Sequence, residues 1–160
     1  MLHIAQVTSD TDVEAVRELL LEYQAGLGVD LCFQNFRAEL AGLPGSYSPP
    51  NGRLLLARQH TTAVGCVALQ GIDPSRCEMK RLYVRSTARG LGLGRTLVTM
   101  ILDAAREIGY REIMLDTLPT MTGAQRLYVQ FGFHPIAPYR PNPVSGTQYL
   151  ALSLTSSPSL

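Results

Sequence analysis

Net charge is almost absent from this chain. Its 160 residues carry 14 Lys and Arg against 13 Asp and Glu, a formal +1 at neutral pH. Nothing electrostatic therefore draws it to nucleic acid or another polyanion. Long apolar runs are missing too: none approaches the roughly 20 residues of a membrane-spanning helix. The opening Met1-Leu2-His3-Ile4-Ala5 lacks the basic and apolar regions of a secretory leader. Cysteine is scarce, and Cys32, Cys66 and Cys77 form an odd, scattered set without metal-ligand spacing. Cys66 and Cys77 fall in apolar strand patterns, where buried reduced thiols are expected. His3, His60 and His134 have no partner at nucleophile or metal spacing. The expected location is the cytoplasm, with no metal, nucleic-acid or membrane partner, and no internal repeat asks for a second unit.

What is present is a hydrophobic content of 46%, enough for one compact core. A single domain over 1–155 is expected, with a Ser-rich tail, 156–160, expected to fray. His3 to Val7 reads as a first strand. Thr11 with Glu14 fits a capping box, and Val13, Val16, Leu20, Tyr23 and Leu27 recur at helical spacing up to Gly26 and Gly28. Cys32 to Leu43 reads as a second helix, followed by a Pro- and Gly-rich loop. Arg53 to Arg58, Ala63 to Leu69 and Cys77 to Val84 read as three strands in an antiparallel meander. Leu97, Val98, Ile101, Leu102, Ala105 and Ile108 make one helix face, stopped at Gly109. Arg111 to Asp116 reads as a strand reached by a parallel crossover. Met121 to Phe131 makes a further helix, and Phe133–Ile136 and Thr147–Leu154 supply the last two strands.

The stretch Glu78–Gly94 organises these elements. A strand passes through a short polar link into a glycine-dense turn, and a helix begins at once. Glycine lets the backbone approach a ligand closely, and the helix start adds unpaired N–H groups and positive dipole. The turn is expected to hold a phosphate or pyrophosphate. A P-loop would need Lys and then Ser or Thr after its last glycine, but Gly94 is followed by Arg95 and Thr96. A dinucleotide fingerprint would need glycine where Arg95 or Leu97 stands. The pattern that fits is Arg89-x-x-Gly92-x-Gly94. With it the sequence resembles the GNAT superfamily of acyl-CoA-dependent N-acyltransferases. A second segment, Ala124–Phe133, is close to that family's Ala-x-x-Leu-Tyr-x-x-x-Gly-Phe signature. Met121 departs from it, standing where many members have an Asn that binds the pantetheine arm.

The resemblance covers nearly the whole chain. It implies an α/β (α+β) GNAT fold, a mixed twisted sheet of about seven strands with about four helices and strands splayed at the acyl-CoA site. It implies acetyl-CoA as acyl donor and an amine acceptor, a small molecule or a peptide N-terminus, attacking directly in a ternary complex. The alternative is a non-catalytic acyl-CoA-binding or regulatory module on the same fold. The pyrophosphate would sit on the amides of Arg89, Gly90, Leu91, Gly92, Leu93, Gly94 and Arg95, with Thr96 in the first helical turn. The pantetheine arm would run along the main chain of Leu82, Tyr83 and Val84, by strand addition. Tyr128, protonated at neutral pH, is the candidate general acid for the leaving thiolate. Glu78 is the candidate base, since a regular strand puts it on one face with Lys80 and Leu82. Tyr23, Phe33, Asp116 and Tyr139 are candidate acceptor-site residues, with Gln34, Phe36, Arg140 and Asn142 nearby. Many relatives are homodimers, and the sequence leaves that state open.

Overall fold

The structure, a computed structural model, describes residues 2–27, 35–142 and 144–155. The expectations at Cys32, Phe33 and Gln34, and the expected tail, lie outside the described residues. In chain order the elements are β1 (Leu2–Gln6), α1 (Asp10–Leu27), α2 (Phe36–Ala41), β2 (Arg53–Gln59), β3 (Thr62–Gly71), β4 (Arg76–Val84), α3 (Leu93–Ile108), β5 (Glu112–Thr117), α4 (Thr122–Phe131), β6 (His134–Pro135) and β7 (Gln148–Ser153). The strands form one mixed seven-stranded sheet in the order β1-β2-β3-β4-β5-β7-β6. Among the described residues only β4 and β5 are parallel neighbours; the other pairings are antiparallel. Among the described residues no helix is long and apolar enough to cross a membrane.

Side chains alternate across the strands into two cores. Leu55, Ala57, Val67 and Leu69 meet Leu97, Val98, Ile101 and Leu102 of α3 and Tyr128 of α4. Leu54, Leu56, Cys66 and Ala68 meet Val16, Leu19 and Leu20 of α1 and Phe36 of α2. The period-2 pattern of the strands and the wide apolar stripe of α3 dictate this sandwich. The cap of α1 is two residues earlier than expected. Ser9 Oγ, not Thr11, accepts the Asp12 N–H at 3.1 Å, and Asp12 Oδ2 accepts the Thr8 N–H at 3.1 Å. Cys66 and Cys77 are buried free thiols, and burial pushes each up to about 12.

Two irregularities position the site. The first is a bulge in β4. Lys80 lies opposite Ala68 and Tyr83 opposite Cys66, so β4 carries an extra residue against Val67. Arg81 takes it up with φ 61°, a left-handed conformation uncommon outside glycine. The bulge resets the alternation. Tyr83 therefore packs with the α1/α2 core, whereas Met79, Leu82 and Val84 pack with the α3/α4 core. The expectation that Glu78, Lys80 and Leu82 share a face is corrected: the extra residue at Arg81 sends Leu82 to the opposite side.

The second irregularity is a split in the sheet. Pairing of β4 with β5 covers only Arg76↔Glu112, Cys77↔Ile113 and Glu78↔Met114. Beyond Glu78, β4 continues against β3 to Val84, while β5 stays paired with β7 to Thr117. Each strand keeps its outer neighbour. Their facing edges part and leave main-chain groups of Met79–Val84 and Leu115–Thr117 turned toward a gap, as at a sheet edge.

Candidate active site

The gap is the mouth of a cleft of about 660 Å³. Its walls are β4 from Met79 to Val84, the end of β5 at Leu115 and Asp116, the glycine turn, the start of α4 and the end of α1. Of the residues expected at the site, Leu82, Tyr83, Val84, Arg89, Gly90, Gly92, Leu93, Gly94, Tyr128, Tyr23 and Asp116 line it. Leu91, Arg95, Thr96, Glu78 and Tyr139 do not.

The glycine turn behaves as a helix start stripped of its own caps. After Val84 a short 3-10 turn, Ser86–Ala88, leads to Gly90 and Gly92, with φ 86° and 74°. Those conformations are cheap only for glycine. Gly92 is the N-cap of α3, and no side chain caps the helix there. The first helical bond runs from Thr96 N–H to Gly92 C=O, 3.1 Å, so the amides before Thr96 have no helical acceptor. Thr96 Oγ1 donates back to Gly92 C=O at 3.1 Å. Arg95 turns away, bonded to Gln130 and stacked 5.4 Å over the Phe131 ring. Arg89 borders the cleft and donates to Val84 C=O, 3.2 Å. The positive end of α3 thus points at the cleft with unpaired N–H groups and an Arg beside them, a place for an anion.

Across the cleft stands Tyr128, 6% exposed, its ring 5.6 Å from that of Phe133. Its α4 is closed by Gly132 at φ 97°. Among the described residues nothing hydrogen-bonds the Tyr128 hydroxyl. Burial, then the negative charge that Tyr23 and Asp116 can carry, raises its phenol above the usual value. It stays an O–H donor at any physiological pH. Met121, which precedes α4, lines the cleft, and Thr117 Oγ1 donates to its sulfur at 3.6 Å.

The face toward α1 and α2 is polar. Tyr23 packs edge-on against Tyr83 at 5.9 Å, and burial pushes its phenol up to about 12. Asp116 Oδ2 and Asn142 Nδ2 are buried without a hydrogen-bond partner among the described residues. Burial, then the charge of Glu78, raises the Asp116 carboxyl, with Arg140, Lys80 and the nearby Asn142 amide pulling the other way. Arg81 is spoken for. It grips Glu39 with two bonds, 3.0 and 2.8 Å, lies 5.1 Å over Phe36, and Tyr47 donates to the same carboxylate at 2.9 Å.

Glu78 is fully buried behind the cleft. It accepts from Gln70 Nε2 at 2.9 Å, Tyr139 Oη at 2.8 Å and Arg140 Nη2 at 2.5 Å. Tyr139 also packs edge-on against Tyr149, 5.4 Å between centroids. Glu78 and Tyr139 are thus tied to each other and anchor the Pro-rich link before β7, of which Asn142 alone among the described residues lines the cleft. Among the cleft walls that sequence reasoning passed over are Lys80 and Arg81. Their hidden signal is the bulge, which no Gly or Pro marks.

Residues 13–133 match the model of the Acetyltransferase (GNAT) family. The chain is 43% identical over 156 residues to an uncharacterized N-acetyltransferase of Schizosaccharomyces pombe, with 96% of each chain covered. A GNAT-family acetyltransferase of Staphylococcus aureus superposes with a TM-score of 0.80 at 21% identity, over 96% of this chain and 99% of that one. A putative acetyltransferase of Salmonella typhimurium, solved with its cofactor acetyl-CoA, gives 0.69 at 19% identity over 98% and 96%. These two structural likenesses concern the fold.

Proposed function

The chain belongs to the GNAT acetyltransferase family, and from that premise we propose that it moves an acetyl group from acetyl-CoA to the primary amine of a small molecule or peptide N-terminus. The observation that carries this reading is the split between β4 and β5 opening onto the uncapped start of α3. Support for the donor comes from the Salmonella structure, which holds acetyl-CoA on the same fold.

In this reading the diphosphate of acetyl-CoA rests on the amides from Gly90 to Arg95, with Arg89 adding charge. The pantetheine arm bonds the open edge of β4 at Leu82–Val84, which brings the thioester beside Tyr128. The acceptor enters from the α1/α2 face, between Tyr23, Asp116 and Asn142. The ammonium first gives a proton to water, and the neutral amine then attacks the thioester carbonyl in a ternary complex. The C–N bond forms, the C–S bond breaks, and the sulfur takes the electron pair together with the Tyr128 proton. The second proton shed by the nitrogen restores the Tyr128 hydroxyl through water. Glu78 does not line the cleft, and in this reading its part is to fix Tyr139 and Arg140. Among the described residues the two thiols, Cys66 and Cys77, sit outside the cleft with raised pKa values, which disfavours either as a covalent acetyl carrier.

The test is a thermal melt with acetyl-CoA, followed by an acceptor screen read by thiol release. A ligand bound only by the folded state at about 100 times its Kd adds roughly 2.7 kcal/mol, or about 5–10 °C for a chain of this size. An unmoved melting temperature at millimolar acetyl-CoA refutes the proposal. Binding without turnover of any amine would favour the non-catalytic module instead.

A further inference from the structure

Three polar groups in the cleft are not fully satisfied among the described residues. Asp116 Oδ2 and Asn142 Nδ2 are buried and, among the described residues, make no hydrogen bond of regular geometry, although the Asn142 amide lies near enough to act on the Asp116 carboxyl; Asn142 Oδ1 already accepts the Val144 N–H at 2.9 Å. The third is Lys80. It lines the cleft, half-buried, and among the described residues makes no ion pair or hydrogen bond. Among the described residues, Glu39 and Glu78, the carboxylates whose charge reaches Lys80 from its own face, are occupied. Both oxygens of Glu39 are held by the Arg81 fork and Tyr47. Both oxygens of Glu78 are held by Arg140, Tyr139 and Gln70. Lys80 and Asp116 are close enough for the lysine's charge to act on the carboxyl, yet they do not form a salt bridge.

Their placement follows from the split sheet. Lys80 precedes the bulge, opposite Ala68, and so faces the α1/α2 side. On β5, Ile113 and Leu115 point into the α3/α4 core, so Asp116 alternates to the side of Lys80. A cation on one parted strand therefore looks across the gap toward an anion on the other. Burial lowers the Lys80 ammonium, with Arg81 adding to the effect and Glu78 opposing it, and burial raises Asp116. Both groups are pushed toward neutrality, as expected of charges whose counter-ions are missing.

We propose that the acceptor is a free α-amino acid or a close analogue, its ammonium received by Asp116 and its carboxylate by Lys80 and the Asn142 amide. A plain amine answers Asp116 and leaves Lys80 unpaired. A peptide N-terminus brings no carboxylate beside its amine. A zwitterion answers all three groups at once. This inference rests on the N-acetyltransferase reading of the same cleft.

The experiment compares the common L-amino acids, their α-carboxamides, simple alkylamines and short peptides as acceptors with acetyl-CoA, by thiol release. In parallel, calorimetry with CoA checks the donor site. At least one amino acid should be used with kcat/KM roughly tenfold or more above its carboxamide, because the amide leaves Lys80 unanswered. Lys80→Met keeps side-chain length and removes charge; it should lower that acid-over-amide ratio roughly tenfold, mainly through KM, and Lys80→Arg should restore part of it. Calorimetry with the best amino acid and CoA should show the same order of affinities without turnover. Amides or peptides used as well as the acids, an unchanged ratio in Lys80→Met, or CoA binding with no amino acid accepted would each overturn the inference while leaving the donor site intact. Absence of CoA binding would instead remove the parent reading and this one with it.

Discussion

Replacing Tyr128 with Phe removes one oxygen atom and, under the proposed mechanism, the proton donor. The structure separates the two consequences. Nothing among the described residues hydrogen-bonds that hydroxyl, and the ring's packing against Phe133 at 5.6 Å survives the change. Stability should therefore move by no more than about 0.5 kcal/mol, or one to two degrees in melting temperature. Turnover should fall by about 10²–10⁴, the usual contribution of a positioned acid, which is about 3–5 kcal/mol of barrier. CoA affinity should hold, since the diphosphate lies at α3. The pH dependence is diagnostic too. Burial, then the charges of Tyr23 and Asp116, raises the phenol, so it remains protonated below about pH 10. Wild-type kcat should show no alkaline decline from this group in that range, and the deficit of the variant should be flat with pH. Stopped-flow thiol release with calorimetry for CoA reads all three quantities. A variant within threefold of wild type at every pH would refute Tyr128 as the acid.

Further outcomes follow from the backbone and from the buried ion pair. In Gly92→Ala a Cβ meets nothing within 4 Å, yet φ is 74°; the cost is conformational, about 1–2 kcal/mol, visible as a melting temperature lower by roughly 2–8 °C. An unchanged melting temperature would mean the turn does not hold that conformation. Arg81→Met leaves Glu39 buried without its cation and should cost about 3–5 kcal/mol at pH 7. Burial works against the Glu39 charge, but the hydrogen bond and charge of Arg81 outweigh it and hold the carboxyl below its ordinary value near 4.5. A depressed carboxyl stabilises above its unfolded value and loses that effect as pH falls through the folded one. The gap between wild type and variant in urea melts should accordingly narrow below about pH 4.5. A gap independent of pH would contradict the pairing.

Much of this arrangement was legible because it is local. The Arg89-x-x-Gly92-x-Gly94 turn, the apolar face of α3 and the Gly132 stop of α4 are written in consecutive residues. The antiparallel meander and the parallel step into β5 followed from turn residues and spacing. The bulge was not legible, because the break in alternation at Lys80-Arg81 reads equally as the polar end of a strand and no glycine marks a left-handed residue. Its consequence, Leu82 turned away from the face of Glu78 and Lys80, was therefore misplaced. The surroundings of Glu78 were equally hidden: its partners Tyr139 and Arg140 lie about sixty residues away, and only the tertiary fold brings them together. A strand Glu reads as exposed until three donors are seen around it. At α1, Ser9 and Thr11 both suit a cap, and the Asp12 side chain, which bonds back to Thr8, decides for Ser9.

The central claim is that unpaired amides at the head of α3 bind the diphosphate of CoA. It is tested most directly by titrating CoA into ¹⁵N-glycine-labelled protein. The account predicts large, saturable amide shifts at Gly90, Gly92 and Gly94, with Gly109 and Gly132, at helix C-termini, nearly still. Shifts confined to other glycines, or none at saturating CoA, would contradict it.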